Sequence, residues 1–381
     1  MKKVLFVSTP ADFIRIFLLP FARHFRNKGW QVDGMAAGIS SRPVYKEYLD
    51  NTFEMDWSRN PLQSLSRFTQ TVTKIRSIVE AGEYDLVHVH TPIAAFLTRL
   101  SIRDLKTKKR PKVIYTAHGF HFHPAGNILK NRVFLELERL AGRWTDFLVV
   151  INHEDKIEAE RYRIVDPLHI RYMPGIGVDT NLYRKENITL DAVEGVRQEL
   201  SLAAGTPLFL MVAAFDRRKR HQDVLHAMAR LERQDAHLAM AGGGTCLLEM
   251  KELAQRLNLQ ERVHFLGFRE DVPTLNRAAV AMLLPSEQEG LPRSIMESLC
   301  LEVPCIGSNI RGTRDLLSDG CGILTEVGNV DAITQGMNRI LAGPAEAREM
   351  GARGRRRMKD FDVGIILKLH EDLYEEALTG R

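Results

Sequence analysis

The chain of 381 residues holds only four cysteines, Cys246, Cys300, Cys305 and Cys321, and no two of them form a Cys-x-x-Cys pair. That excludes a disulfide scaffold and argues against a zinc ribbon; buried free thiols in a reducing compartment are the expectation. Long apolar runs are missing too, since nothing approaches the roughly 18 residues of a membrane span. Met1 to Ser8 opens like a leader, but Val4 to Val7 is an apolar run of only four residues. A secretory core needs roughly seven to fifteen. A soluble, cytoplasmic chain is therefore expected. There is no repeat at solenoid spacing, and no zinc-finger, basic-zipper or RNP-like pattern, so nucleic acid is not an expected partner.

What is present is an ordinary globular composition, 44% hydrophobic and 27% charged, enough to bury a sizeable core. The net charge of +5 is unevenly placed: residues 1–178 carry 27 Lys and Arg against 18 Asp and Glu, and the remainder 26 against 30. A basic first half points to an anionic partner there.

Short β-branched or apolar runs alternate with segments of helical period. Strands are expected at Lys3 to Ser8, Gln31 to Ala36, Leu86 to His90, Val113 to Ala117 and Phe147 to Ile151. In the second half they are expected at Leu208 to Ala213, Leu238 to Ala241, Val263 to Leu266, Val280 to Leu284 and Pro304 to Ile306. Helices such as Leu65 to Glu80 and Ile128 to Trp144 separate them. This is the pattern of parallel sheets covered on both faces, and it gives an α/β chain of two doubly wound, Rossmann-like domains. The boundary falls near Met173–Asp179, after a strand-like His169 to Tyr172. The expected division is 1–178, 179–360 and a terminal helical segment 361–381. In such folds ligands bind at the carboxyl ends of strands, so two domains facing across a cleft would each offer one wall.

The most informative stretch follows the strand ending at Leu284: Glu289-Gly290-Leu291-Pro292-Arg293-Ser294-Ile295-Met296-Glu297. A helix opening at Pro292 or Arg293 would point free amides around Arg293 and Ser294 at an anion such as a diphosphate. Glu297, one turn in, would accept hydrogen bonds from vicinal hydroxyls, and Glu289 could reach a second polyol.

Two glutamates with seven residues between them, set in Glu-Gly-Leu-Pro and followed by Val303-Pro304, resemble the retaining glycosyltransferase family 4 of the GT-B fold. The resemblance implies that Glu297 binds the donor ribose and that Glu289 contacts the transferred sugar. It places Lys219 on the donor diphosphate, with Arg217 or Arg218 in place of an arginine that this chain replaces by Ala214. The backbone of Gly267, Phe268 and Arg269 would read the base, which is commonly uridine. His118 would sit near the transferred sugar, and the loop Pro10, Ala11, Asp12 near the acceptor, though it lacks the glycine pair many members carry. A terminal helix crossing back onto the first domain is implied as well. Tyr115 to His123 and Ile151 to Asp155 are similar to a bacterial subgroup that builds exopolysaccharides, capsules and lipid-carrier-linked glycans.

The resemblance further implies a nucleotide-sugar donor, an acceptor sugar on a polyprenyl diphosphate, retention of configuration, and neither cofactor nor metal. His118, His121 and His123 lack the spacing of a helical zinc motif. The single Asp-x-Asp, Asp360 to Asp362, reads as the cap of a helix from Val363 to Leu378. Arg103, Lys106, Lys108, Lys109, Arg110 and Lys112 form a basic loop suited to an anionic membrane surface, giving a peripheral location at the inner face of the plasma membrane. Phe13, Ile14, Ile16, Phe17, Leu18 and Leu19 read as the buried face of a first helix, opened at Pro20. Two rival readings are a catalytically silent nucleotide-sugar binder and a basic nucleic-acid binder.

Overall fold

The computed structural model describes every residue except 58–64, 106–109, 123–126 and 381. Lys106, Lys108, Lys109 and His123 lie outside the described residues. The chain forms two compact units, one of Met1–Ile176 with Gly364–Arg381, the other Gly177–Val363.

The first unit holds β1 (Lys3–Pro10), β2 (Gln31–Ala37), β3 (Thr52–Glu54), β4 (Leu86–His90), β5 (Lys112–Ala117), β6 (Phe147–Val150) and β7 (Ile170–Tyr172). They pair in parallel in the order β3-β2-β1-β4-β5-β6-β7. The second unit holds β8 (Leu208–Val212), β9 (His237–Ala241), β10 (Val263–Gly267), β11 (Ala281–Leu284), β12 (Cys305–Ser308) and β13 (Gly322–Thr325). Its order is β10-β9-β8-β11-β12-β13, again parallel. In each sheet the order reverses once, beside β1 and beside β8, and loops leaving the strands there diverge to opposite faces and open a crevice.

Central strands are apolar on both faces because helices cover both. Every residue of β4 and of β11 is buried, for example. All ten expected strands are present to within two residues, and the strand-like segment before Pro174 is β7. β3 and β13 were not expected. β3 has only three residues, and β13 starts at Gly322, where a Cβ would stand 2.8 Å from the Cys305 carbonyl oxygen. A glycine that admits a neighbouring backbone reads as a turn in sequence.

The first helix opens as expected: Ile14–Leu18 forms a π-helical turn ahead of Leu19–Asn27, with Pro20 in its first turn. Ile14, Leu18 and Leu19 are buried, but Ile16 is exposed. The last helix, Val363–Thr379, buries Ile366, Leu373, Tyr374 and Ala377 among Val4, Phe6, Phe25 and Leu86 of the first unit. Tyr374 stacks on Phe25 with ring centroids 4.7 Å apart. Just before that helix, Val178 and Asp362 form a parallel bridge, and the Asp362 carboxylate accepts from the Thr180 amide and hydroxyl. The two chain crossings are thus stitched together inside the second unit. Among the described residues no helix is long and apolar enough to cross a membrane.

The first unit also buries imidazoles. His88 is hydrogen-bonded to the Tyr374 hydroxyl (2.6 Å) and the Thr116 hydroxyl (2.7 Å), and His370 to the Ile366 carbonyl (2.8 Å). Burial, then the neighbouring imidazoles, holds His88 and His90 well below the usual histidine range. Burial lowers His370 to about 4, and burial with His370 lowers His118 to about 3. These side chains are neutral in the folded unit and protonate in the unfolded chain near pH 6.5. The unfolded state therefore binds more protons below that pH, so stability is full above it and falls as pH drops, by up to about 1.4 kcal/mol per histidine per pH unit. Thermal melts between pH 7.5 and 5 should show this loss, and His88→Gln, which can keep both hydroxyl contacts, should flatten it. A pH slope unchanged by the substitution would remove His88 from the account.

Candidate functional site

In the second unit the loops that leave β8, β9, β11 and β12 come together. Gly242 and Gly244, after β9, have φ of 146° and 153°, and a Cβ on Gly242 would lie 2.0 Å from the Ala213 carbonyl oxygen. Phe215 donates its amide to the Gly243 carbonyl, and Glu287 donates to the Arg218 carbonyl. Gly312, after β12, has φ of 66°, and a Cβ there would stand 1.8 Å from the Gly290 carbonyl oxygen. The loop carrying Gly290 is thus set directly on a glycine that only just admits it.

Helix Arg293–Cys300 follows that loop, with Pro292 at the capping position rather than inside the first turn. No side chain caps its amino end, so the end keeps the partial positive charge of its amides. Glu297 is 8% exposed. Its Oε1 accepts from the Tyr183 hydroxyl and from Arg293 Nε, both at 2.7 Å. Burial and the Glu297 charge push the Tyr183 phenol upward, so it stays a donor. Tyr183 gave no signal in the sequence: it lies 114 residues from its partner, in a stretch without a motif.

Glu289 is equally enclosed and pairs with Lys219 Nζ at 2.5 Å. Lys219 ends a short helical turn, Arg217–Lys219, after β8. Arg217 and Arg218 are both exposed; Arg218 lies 4.0 Å from the second Glu289 oxygen, donates to the Gln288 carbonyl at 3.1 Å and pairs with Asp216 at 3.4 Å. Arg220 adds a link the sequence did not advertise, bonding Asp223 and Glu287 at once. On the loop after β10, Gly267 has φ of 65°, Phe268 is exposed, and Arg269 is committed to ion pairs with Glu199 and Asp271. Lys219 and Arg218 thus stand beside Glu289 and Arg293 beside Glu297, while the Arg269 side chain is held by Glu199 and Asp271.

In the first unit, His118 stands at the end of β5, half-buried, with its Nε2 3.0 Å from His90 Nδ1 and its ring edge-on to Phe13 at 4.8 Å. The other His90 nitrogen, Nε2, is buried without a hydrogen-bond partner among the described residues. Two segments singled out from sequence support each other here, because Asp155 is fully buried and accepts from the Phe120 amide at 3.3 Å. Pro10 is exposed at the end of β1, Ala11 is buried, and Asp12 forms exposed pairs with Arg15 and Arg42. His121 is exposed beside Phe134. No three His, Cys, Asp or Glu side chains converge as a metal shell among the described residues.

A family model described as Glycosyltransferase Family 4 matches residues 16–182, and one described as Glycosyl transferases group 1 matches residues 193–357. The chain is 28% identical over 378 residues to EpsD of Bacillus subtilis (strain 168), covering 98% of this chain and 96% of that one. It is 28% identical over 283 residues to an Escherichia coli UDP-Gal:alpha-D-GlcNAc-diphosphoundecaprenol alpha-1,3-galactosyltransferase, covering 73% and 71%. The crystal structure of Anabaena Alr3699/HepE in complex with UDP and glucose superposes with a TM-score of 0.83 at 19% identity, over 99% of this chain and 100% of that one.

The contact between Gly312 and Gly290 can be checked directly. Gly312→Ala places a methyl group against a carbonyl at a backbone angle that side chains rarely adopt. It should lower the melting temperature by several degrees, an effect of roughly 1–3 kcal/mol. Wild-type stability in that variant would show that the two loops are not in fixed contact.

Proposed function

Because this chain belongs to glycosyltransferase family 4 and carries the GT-B fold, we propose that it moves a hexose or N-acetylhexosamine from a UDP-sugar to a sugar borne on a polyprenyl diphosphate. In the proposed reaction configuration is retained and no metal takes part. The observation that carries this reading is the pair of buried carboxylates, each already held by a cation: Glu297 by Arg293 and Glu289 by Lys219. Both bonds to Glu297 land on Oε1, and Oε2 is the oxygen left to accept from the two ribose hydroxyls. Glu289 orients the sugar hydroxyls, and its partner Lys219 turns toward the diphosphate.

As the anomeric bond breaks, negative charge grows on the departing phosphate. Lys219, Arg218 and the amino end of helix Arg293–Cys300 are fixed donors that meet it, and such a donor is worth roughly 10²–10³ in rate. The departing phosphate takes the acceptor proton, so no separate base is needed. The uridine donor and the lipid-linked acceptor are supported by the Escherichia coli relative, whose name gives both. His118, neutral because burial depresses its pKa to about 3, serves as a hydrogen-bond partner for a sugar hydroxyl.

Release of radiolabel from several nucleotide sugars, with a lipid-linked acceptor present, tests the reading against a silent binder and a nucleic-acid binder. Glu297→Gln should weaken donor affinity about tenfold, or about 1.4 kcal/mol. Glu289→Gln should keep that affinity and slow transfer, and Lys219→Ala should slow it by about 10²–10³. EDTA should leave turnover intact. Wild-type kinetics in both glutamate variants would sink the site; loss in EDTA restored by manganese would sink the metal-free mechanism.

His118→Ala separates the two units. It should impair transfer while nucleotide affinity, measured by calorimetry, stays within about twofold, a difference under 0.5 kcal/mol. A parallel loss of both would remove His118 from the acceptor side.

A further inference from the structure

Helix Ile128–Gly142 lies on the first unit with a stripe of its apolar residues outward. Its inner side is made by Phe134, Leu135, Ala141 and Gly142, and by Glu138, which bonds the buried Arg99 and the Tyr115 hydroxyl. A Cβ on Gly142 would meet the Ile164 carbonyl oxygen at 1.7 Å, so this side is firmly seated. At 100° per residue the opposite side collects Leu129, Val133, Leu137 and Leu140. They are 73%, 52%, 41% and 40% exposed, and Ile128 at the amino end is 87% exposed. A surface helix normally turns charge to that side. An apolar stripe in its place marks a surface that something covers.

The flanks of the stripe indicate what covers it. Lys130 borders one edge, and Arg132, Glu136, Arg139 and Arg143 border the other. Where the helix ends, Trp144 is half-buried with the Arg103 guanidinium 5.5 Å from its ring, and Arg110 bonds its carbonyl. The acidic residues of this helix are engaged, Glu136 with Arg139 and Glu138 with Arg99. Aliphatic side chains between basic borders, with a tryptophan at the end, match the boundary between acyl chains and anionic headgroups. A second copy fits less well, because an isologous contact through this face would bring the same cations together.

We propose that helix Ile128–Gly142 docks the first unit on an anionic bilayer, with Leu129, Val133, Leu137 and Leu140 in the acyl boundary and the bordering cations on headgroups. This inference deepens the reading of a lipid-linked acceptor and rests on it. It also differs from docking through the basic loop alone: the helix supplies an apolar contact that salt does not screen.

The test is sedimentation of the full chain with vesicles of phosphatidylglycerol and phosphatidylcholine, or of phosphatidylcholine alone. The wild type should partition onto the anionic vesicles. L129Q/V133Q/L137Q/L140Q should lose about tenfold or more at any salt, and R132Q/R139Q/R143Q should lose binding chiefly at low salt. Both variants change exposed positions, and unaltered nucleotide affinity would show that they fold. The quadruple variant should still transfer sugar to a water-soluble, short-chain acceptor while losing turnover on acceptor embedded in vesicles. The proposal is overturned if the wild type ignores anionic vesicles, or if the quadruple variant binds them as the wild type does. It is overturned equally if sedimentation velocity shows a wild-type dimer that the quadruple variant breaks without changing vesicle binding. Failure of the wild type on the soluble acceptor would instead overturn the transferase reading, whatever the vesicles show.

Discussion

An ionised carboxylate that is 8% exposed needs partners, because removing its water costs several kcal/mol unless hydrogen bonds replace it. Glu297 finds them in Arg293, one turn back on its own helix, and in Tyr183, near the start of the second unit. Tyr183 is itself pinned: its carbonyl accepts from Arg355, which also reaches the carbonyls of Thr180 and Cys300. One buried charge therefore fixes the register between the entering segment, helix Arg293–Cys300 and helix Pro344–Arg357. The amino end of the site helix is presented as it is because the carboxylate one turn further on cannot move without losing Tyr183.

The first unit meets the same low dielectric in the opposite way. Beside the buried Arg99–Glu138 pair and Asp155, it keeps its buried histidines neutral and uses them as hydrogen-bond partners. His88 joins β4, β5 and the last helix through Tyr374 and Thr116, and His90 stands between His88 and His118. The position of His118 is thus set by a stack of imidazoles rather than by a salt bridge. Burial of these imidazoles makes the first unit acid-sensitive.

Much of this was legible in the sequence. Parallel strands buried on both faces leave continuous apolar runs, which is why ten strands could be located to within two residues. Glu297 was legible because its helix is local and the helical period sets it one turn after Arg293, whereas Glu289, in the loop before, was reached through the resemblance. Tyr183, Arg355 and Arg220 were not, since each acts through contacts made by distant chain segments, and nothing near them in sequence marks a partner. Helix Ile128–Gly142 was expected as a helix, but periodicity reports that one side is apolar and not which way that side faces. The sequence therefore placed the weight of surface contact on the basic loop, and the packing of Gly142 against Ile164 turned the stripe outward.

The resemblance puts an arginine at the position of Ala214 on the donor side, and in the proposed reaction Arg218 takes its place. Residue 214 is exposed at the turn after β8, as Arg218 is. Arg218 hangs from the helical turn that carries Lys219 and is anchored to the Gln288 carbonyl, 4.0 Å from Glu289. A leaving diphosphate needs positive charge close by, and a guanidinium delivers it without regard to the residue number that supplies it. What a displaced guanidinium loses is its forked geometry, because one arm already bonds a carbonyl. In the proposed reaction Arg218 then stabilises charge on the phosphate without aligning it, and alignment falls to the amides of the site helix. Those amides are held in place through Glu297, so in the proposed reaction the alignment of the phosphate rests on the buried carboxylate.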